Sequence, residues 1–458
     1  MAAETSSIQW WVSSTDLQNR LAGQPRLDWR LSPDGKRREA ISVDPAVRHQ
    51  TMLGLGSSLE PSTCWNLSLL PETGRGRAME RLVDPRTGCG MNLMRICIGT
   101  PDFTGDPWYS YNDLPTGQSD LLLKRFTIEK DRAYILPVLK LARAKNPDLL
   151  FFASPWSPPA WMKDGGRLAG GALWVRHHPV YAEYFVRFIQ AYEAEGIPIH
   201  AVTVQNEPGV DRAREKDPKW HYPSCRWTAE QERDFIRDHL GPAFRRHGLK
   251  TRIWCYDHNY NVKPTATDPG LDYPCTILRD PAAAAFVSGV AFHGYAGEPA
   301  GMGTFRLEFP QVPLHFTEGS VFGIAEGLKL ADILRNGASS YNAWVTMLDD
   351  HGQPNNGPFE ASRTVMTLDP ESKTVTEHFD FLLYSHFMKF IQRGAVRIES
   401  TAGKNPVRTV AFRNPDGNLA LMVVNAGKKD LPLRISSSGR VAETVLGPLS
   451  VASFVWPE

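Results

Sequence analysis

The sequence predicts an α/β chain, a (β/α)8 TIM barrel with an appended β-sandwich, and three observations lead there. Between residues 51 and 348, short apolar runs alternate with helical segments. That alternation implies a parallel sheet covered on both faces. The runs number eight, which is the count that closes a barrel. After residue 380 the helical signals fade and strand–turn–strand patterning takes over. A doubly wound open sheet is the competing architecture. It lacks its fingerprint, since "GLGSSL" carries only two of the G-x-G-x-x-G glycines.

The eight runs are "TMLGLGSSL" (51–59), "MNLMRICIGTPDF" (91–103), "DLLFFASPW" (148–156), "IHAVTVQNEP" (199–208), "TRIWCYDHN" (251–259), "VSGVAFHGY" (287–295), "VPLHFTEGS" (312–320) and "GASSYNAWVTML" (337–348). Between the third and fourth, Tyr181, Tyr184, Phe185, Phe188 and Tyr192 recur at helical spacing and Gly196 reads as a stop. After the fourth, Thr228 and Gln231 form a capping box and Gly248 ends the helix. Near the C-terminus, two alternating runs meet at Pro-Asp-Gly-Asn, a hairpin signal. The expected division is residues 1–48 as N-terminal strands joining the sandwich, 49–380 as the barrel and 381–458 as the sandwich. Within the last segment, residues 381–392 read as a linking helix.

Bulk properties narrow the function. The 458 residues are 42% apolar and 22% charged, with a net charge of +1. Neither nucleic acid nor an anionic membrane is implied as a partner. No run of 18 uncharged apolar residues suggests a span. The start "MAAETSSIQWWVSS" lacks a basic leader, so the chain reads as cytoplasmic or as trimmed of a signal. Oligomeric state is left open. Six cysteines are too few for a disulfide framework at this length, and no CxxC or HExxH occurs. No metal or organic cofactor is implied, and His177-His178 reads as a plain surface or loop pair rather than a metal site.

In a barrel of this kind, functional groups sit where strands end. Arg95 lies in the second run and Asp102 follows it, and Trp156 ends the third. Asn206 and Glu207 end the fourth, and Asp257, His258 and Asn259 end the fifth. His293 and Tyr295 end the sixth, Glu318 the seventh, and Trp344 lies in the eighth. A lone Glu at a strand end is usually a solvated loop residue. Two, each behind an apolar strand and framed by polar and aromatic neighbours, are the pair that glycoside hydrolysis needs. The apolar approach to Glu207 predicts a carboxyl raised by desolvation. Pro208 predicts an extended Glu207. His293 reads as either a packing residue or a sugar contact, and Trp156 and Trp344 as either barrel core or sugar platform.

An ordered set of segments then resembles glycoside hydrolase family 30, which includes β-glucosylceramidases. The set is "GLGSSLEPS", "MNLMRICIGTPDF", "FFASPWSPPAWMKDGG", "VQNEP", "TAEQERDFIRDHLGP", "VAFHGY", "HFTEGS" and "HFMKFIQRGAVRI". The resemblance implies a retaining hydrolase with Glu207 as general acid/base and Glu318 as nucleophile. It implies that Asn206 bonds the sugar 2-hydroxyl, and that Tyr295 and Arg95 orient Glu318, with Asp257 in support. Asp102, Trp156 and Trp344, with His293 nearby, are implied as the floor for a terminal glucose. The implied substrate is a β-glucoside or glycolipid such as glucosylceramide. An endo-β-1,6-glucanase or a β-xylosidase is the alternative within the family, and a silent carbohydrate-binding barrel the alternative outside it. The chain departs from the family at Gly319, where some relatives carry Cys. It departs again at "LDDHGQPNNGPFE", where Asn355 and Asn356 compete for one Asn role.

Overall fold

Eight parallel strands form one sheet in the computed structural model. They are β1 (Gly54–Gly56), β2 (Leu93–Ile98), β3 (Leu150–Pro155), β4 (Ile199–Thr203), β5 (Arg252–Asn259), β6 (Val287–His293), β7 (Leu314–Glu318) and β8 (Ala338–Asn342). Each falls within one of the eight predicted runs. Neighbours in sequence are neighbours in the sheet, β8 pairs with β1, and a parallel bridge between Ser58 and Arg95 closes the β1–β2 seam. The structure describes residues 7–31, 41–212, 216–320, 322–360 and 364–458. The first six residues of the fourteen on which the missing leader is read, and residues 32–40 of the predicted N-terminal segment, lie outside the described residues.

Side chains alternate faces along a strand, so every second residue points into the barrel. Leu93, Phe152, Ala201, Trp254 and Ala291 form one buried apolar cluster there, and Trp254 stacks on His315 at 3.8 Å. This layer plugs the lower half of the barrel. Two residues further along the strands come Arg95, Ser154, Thr203, His293 and Thr317, all buried. The fifth strand reaches the same layer differently. It carries a bulge, with Ala291 opposite Tyr256 but Phe292 opposite His258. Tyr256 and Asp257 take positive φ there, 78° and 63°. The bulge aims Asp257, three residues beyond Trp254, at this polar layer, and Tyr256 turns away to bond Asn259 and Asp268.

The helix His178–Ala194 and the Thr228–Gln231 capping box appear as predicted. The segment after the box is broken by a π-turn, Ile236–Leu240, just before Pro242, which has no N–H to continue the ladder.

A second sheet of ten strands holds the chain ends. Gln9–Ser14 pairs antiparallel with Ser450–Pro457, and the predicted hairpin joins Val407–Arg413 to Asn418–Asn425. Gly417 takes φ 85° in its turn, a conformation that favours glycine. Between the two sheets runs the helix Phe379–Met388, all ten of whose residues are buried. One hydrophobic core joins Leu55 and Phe387 to Val410, Phe412, Met422 and Val424 of the second sheet. All six cysteines are free and buried. Among the described residues no helix is long and apolar enough to cross a membrane.

Candidate active site

The polar layer is a hydrogen-bonded plate. Asp257 Oδ2 accepts from Arg95 Nη2 (2.9 Å), Ser154 Oγ (3.0 Å) and Thr203 Oγ1 (2.7 Å). Its Oδ1 accepts from Thr317 Oγ1 at 2.6 Å and faces His293 Nε2 at 3.0 Å. Burial raises the Asp257 carboxyl, but the Arg95 charge, His293 and the Thr317 bond outweigh it and hold the group well below the usual range. Arg95 is fully buried under Trp156 and Trp344, its guanidinium 4.8 and 5.4 Å from their rings. It donates to Glu318 Oε2 through Nη1 and to Asn206 Oδ1 at 2.8 Å through Nη2. Tyr295 donates its hydroxyl to the other Glu318 oxygen, at 2.7 Å.

Glu207 stands across from Glu318, and an oxygen of each lies within 4.8 Å of the other. Its backbone is not extended as Pro208 suggested. Glu207 takes φ 50° in a turn four residues past β4. That conformation costs a non-glycine residue about 1–3 kcal/mol. It is held by bonds from Asn206 N to Pro155 O (2.9 Å), Glu207 N to Asp257 O (3.0 Å) and Val210 N to Glu207 O (2.9 Å).

The predicted upward shift of Glu207 is also corrected. Burial acts in that direction. The hydrogen bond to His293 and the charges of His258, His293 and Arg212 outweigh it and leave the carboxyl below its usual range. His293 answers in the opposite sense. Burial lowers it, but Glu318, Asp257 and Glu207 push it up to about 9. Its Nδ1 lies 3.3 Å from Glu207 Oε1. Near neutral pH the Glu207–His293 pair therefore holds one proton between its two members.

A cavity of about 380 Å3 opens above the plate. Asp102, Trp156, Asn206, Glu207, Tyr295, Glu318 and Trp344 all line it. Trp156 and Trp344 stack on each other at 5.2 Å. Burial, then the Glu318 and Glu207 charges, pushes Asp102 up to about 8, and its Oδ1 has no partner among the described residues. A protonated carboxyl with an open lone pair suits a sugar hydroxyl. His293 is fully buried beneath Glu207 and does not line the cavity, which corrects its expected place beside the sugar. Its two ring nitrogens face carboxylates instead. Neither Asn355 nor Asn356 reaches the cavity. Their amides bond Phe359 O (2.6 Å) and Asp106 O (2.8 Å). A Cβ on Gly319 would come within 2.5 Å of the Phe316 ring, so no cysteine fits there unless that ring moves. Sequence reasoning missed Arg212, Tyr222 and Phe359, which line the cavity rim. They lie on loops with no strand-end signal.

Glu207, His293 and Glu318 could by spacing hold a metal ion. The Arg95 guanidinium already meets Glu318, and His293 carries its own proton, so a further cation is opposed.

Buried titratable groups in and around the barrel set a pH dependence. Burial raises Glu60 to about 7 and Asp102 and Glu232 to about 8, and His293 is raised to about 9. Each binds its proton more tightly in the folded chain than in the unfolded one. The carboxyls' share of stability is therefore full only below about pH 4 and is lost as pH rises to 7 and 8, and that of His293 is lost between about pH 6.5 and 9. Burial lowers His178 and His200 to about 4 and His315 and His386 to about 3, and these act only below about pH 6.5. The melting temperature is expected to peak near pH 6.5, and a value at pH 9 equal to the peak overturns this account.

Two carboxylates facing each other across stacked indoles, at the C-terminal mouth of a (β/α)8 barrel, have the form of a site that cleaves glycosidic bonds, and the chain is a glycoside hydrolase. Residues 52–348 match the glycosyl hydrolase family 30 TIM-barrel domain and residues 394–454 the family's β-sandwich domain. The chain belongs to glycosyl hydrolase family 30. It is 29% identical to the endo-1,6-β-D-glucanase of Neurospora crassa, covering 99% of this chain and 94% of that one. It is 27% identical to the lysosomal acid glucosylceramidase of Mus musculus, covering 91% and 83%. A solved endo-β-1,6-glucanase superimposes with a TM-score of 0.87 at 28% identity, over 99% of both chains.

Proposed function

We propose that the chain hydrolyses β-glucosidic bonds with retention of configuration, Glu318 attacking the anomeric carbon and Glu207 serving as acid, then base. The observation that carries this is the 4.8 Å limit between their oxygens. Retaining pairs stand about 5–5.5 Å apart, whereas inverting pairs need about 6.5–9.5 Å to admit a water. Arg95 and Tyr295 bind one Glu318 oxygen each, keeping the carboxylate ionised and aimed. The proton shared by Glu207 and His293 can move along their 3.3 Å contact to Glu207 and then to the leaving oxygen. In the second half-reaction Glu207 takes a proton from water, which releases the sugar from Glu318. Asp102, Trp156, Asn206 and Trp344 would hold the glucosyl unit under attack.

The first substrate reading is β-1,6-linked glucan, with a terminal β-glucosyl residue on a lipid such as glucosylceramide second. Relatives of both kinds support the pair. The glucanase relative of Neurospora crassa covers 99% of this chain and the glucosylceramidase of Mus musculus 91%, which supports putting the glucan first. The test is sugar release from an aryl β-glucoside, an aryl β-xyloside, β-1,6-glucan and glucosylceramide. Oligosaccharides from the glucan are expected. Glucose from the lipid with an untouched glucan would reverse the order of the two readings.

Glu207→Ala is expected to lower kcat/KM on glucan by about 10³-fold and on aryl glucosides with good leaving groups by much less. Azide should restore part of the loss. Equal losses on both substrates, with no rescue, would remove Glu207 as the acid.

A further inference from the structure

The far end of the barrel from the two carboxylates carries a second cavity, of about 780 Å3. It lies where the strand Ile41–Thr51 of the second sheet passes the N-terminal ends of β5 to β8. Arg48 and His49 line it from that strand, Arg252 and Arg306 from the barrel, and Arg393 from the segment between the two sheets. Among the described residues no Asp or Glu lines it. His49 meets Glu399 at 3.0 Å, and Arg393 donates to the carbonyls of Asn92 (2.6 Å) and Asp148 (3.0 Å). The side chains of Arg48, Arg252 and Arg306 have no ion pair and no hydrogen bond among the described residues. Arg306 lies across the bare backbone of Gly337, where a Cβ would come within 2.5 Å of its Cδ and Nη1. The surplus of charge reaches a buried neighbour. Arg397 has one side-chain bond, to Gln50 at 3.2 Å, and burial, then the charges of Arg335 and Arg306, lower its guanidinium to about 10. The inner wall holds a second signal. His315 is 3% exposed and lines the cavity, yet only Nδ1 is engaged, with Ser340 Oγ at 2.9 Å. Its Nε2 has no hydrogen-bond partner among the described residues. An unmade bond on a buried ring is costly unless something fills the space beside it.

We propose that this cavity binds a small polyanion, a linear di- or triphosphate group, free or carried on an organic molecule. Guanidinium forks match phosphate oxygens in shape and charge. Several phosphates are needed, because the cations face the space from the second sheet on one side and the barrel on the other. The helices Ala300–Glu308 and Gly323–Arg335 end beside the cavity. Their C-terminal dipoles supply about half a negative charge each, less than three unpaired guanidiniums call for. A neutral sugar or an acyl chain supplies no counter-charge at all. The bound polyanion touches strand and barrel together and so ties the two sheets. The site stands at the opposite mouth from Glu207 and Glu318, and the proposal holds whatever glycoside that pair cleaves.

The test titrates the full chain calorimetrically with inorganic phosphate, tripolyphosphate and adenosine triphosphate, at an ionic strength held near about 0.15 M with chloride. Tripolyphosphate is expected to bind at one site, at least about tenfold tighter than phosphate, and to raise the melting temperature. Arg252→Gln combined with Arg306→Gln should weaken it at least about tenfold. Arg252 is exposed and Arg306 half-buried, so the fold survives both changes. Arg48→Gln, on the exposed face of the facing strand, should weaken it by a smaller factor and serves as the second variant. No saturable binding, an affinity equal to that of phosphate, or an affinity unchanged in both variants overturns the proposal. Competitive inhibition of aryl glucoside hydrolysis by tripolyphosphate also overturns it, because the anion then sits at the carboxylate mouth. Adenosine triphosphate that binds tighter than tripolyphosphate supports a ligand carried on an organic molecule, and equal binding supports the phosphate chain alone.

Discussion

Glu318→Gln leaves a folded protein whose turnover falls by at least about 10⁴-fold, the scale on which removal of a covalent nucleophile acts. The amide keeps the shape of the side chain and can still accept from Tyr295. It cannot form a glycosyl ester with a viable leaving group. The loss should fall on kcat, with oligosaccharide binding preserved, because the sugar is held by other groups. Hydrolysis within tenfold of the unsubstituted chain would remove Glu318 from the nucleophile's role. The same protein is then informative about Arg95, which in it faces a neutral partner while Asp257 still supplies a charge.

Arg95→Met is expected to cost about 3–5 kcal/mol of stability, the range for removing one partner of a buried ion pair. Methionine fills much of the volume. What it leaves behind is the cost, since Asp257 is fully buried and Glu318 nearly so, and both lose their guanidinium. Asn206 and Ser154 lose a donor as well. Combining Arg95→Met with Asp257→Asn should destabilise by less than the sum, because the second change neutralises a charge stranded by the first. Denaturant midpoints measure both. A loss below about 1 kcal/mol would mean that water enters the plate and replaces the guanidinium.

The strands were legible because each is an apolar run that stops at Gly, Pro or Asn, and the two carboxylates because they follow such runs. What was not legible depends on neighbouring strands or on distant loops. Asp257 could be placed at a strand end from "IWCYDHN". Its aim into the barrel comes from a bulge, and a bulge is a register relation between β5 and β6 that neither sequence states alone. Glu207 was expected to be extended before Pro208 and electrically raised. The turn at φ 50° is imposed by bonds to Pro155 and Asp257, and the downward shift by a histidine on another strand. His293 read from its strand end as either a packing residue or a sugar contact, and only the family resemblance put it near the sugar; the side chain stops one layer below the cavity. The meeting of Arg212 with Phe359 joins loops about 150 residues apart, and no local pattern announces it.

The helix Phe379–Met388 has no solvent-facing side, which separates this chain from proteins whose accessory modules hang on linkers. Cutting the chain near residue 390 would take the strand Ser450–Pro457, whose Ser453 bonds His386 at 2.8 Å, away from the helix and expose it. In the uncut chain, barrel and sandwich should melt in a single calorimetric transition. Transplanting the barrel into another protein, or trading its sandwich for a carbohydrate-binding partner, requires the helix and its facing strands to travel together.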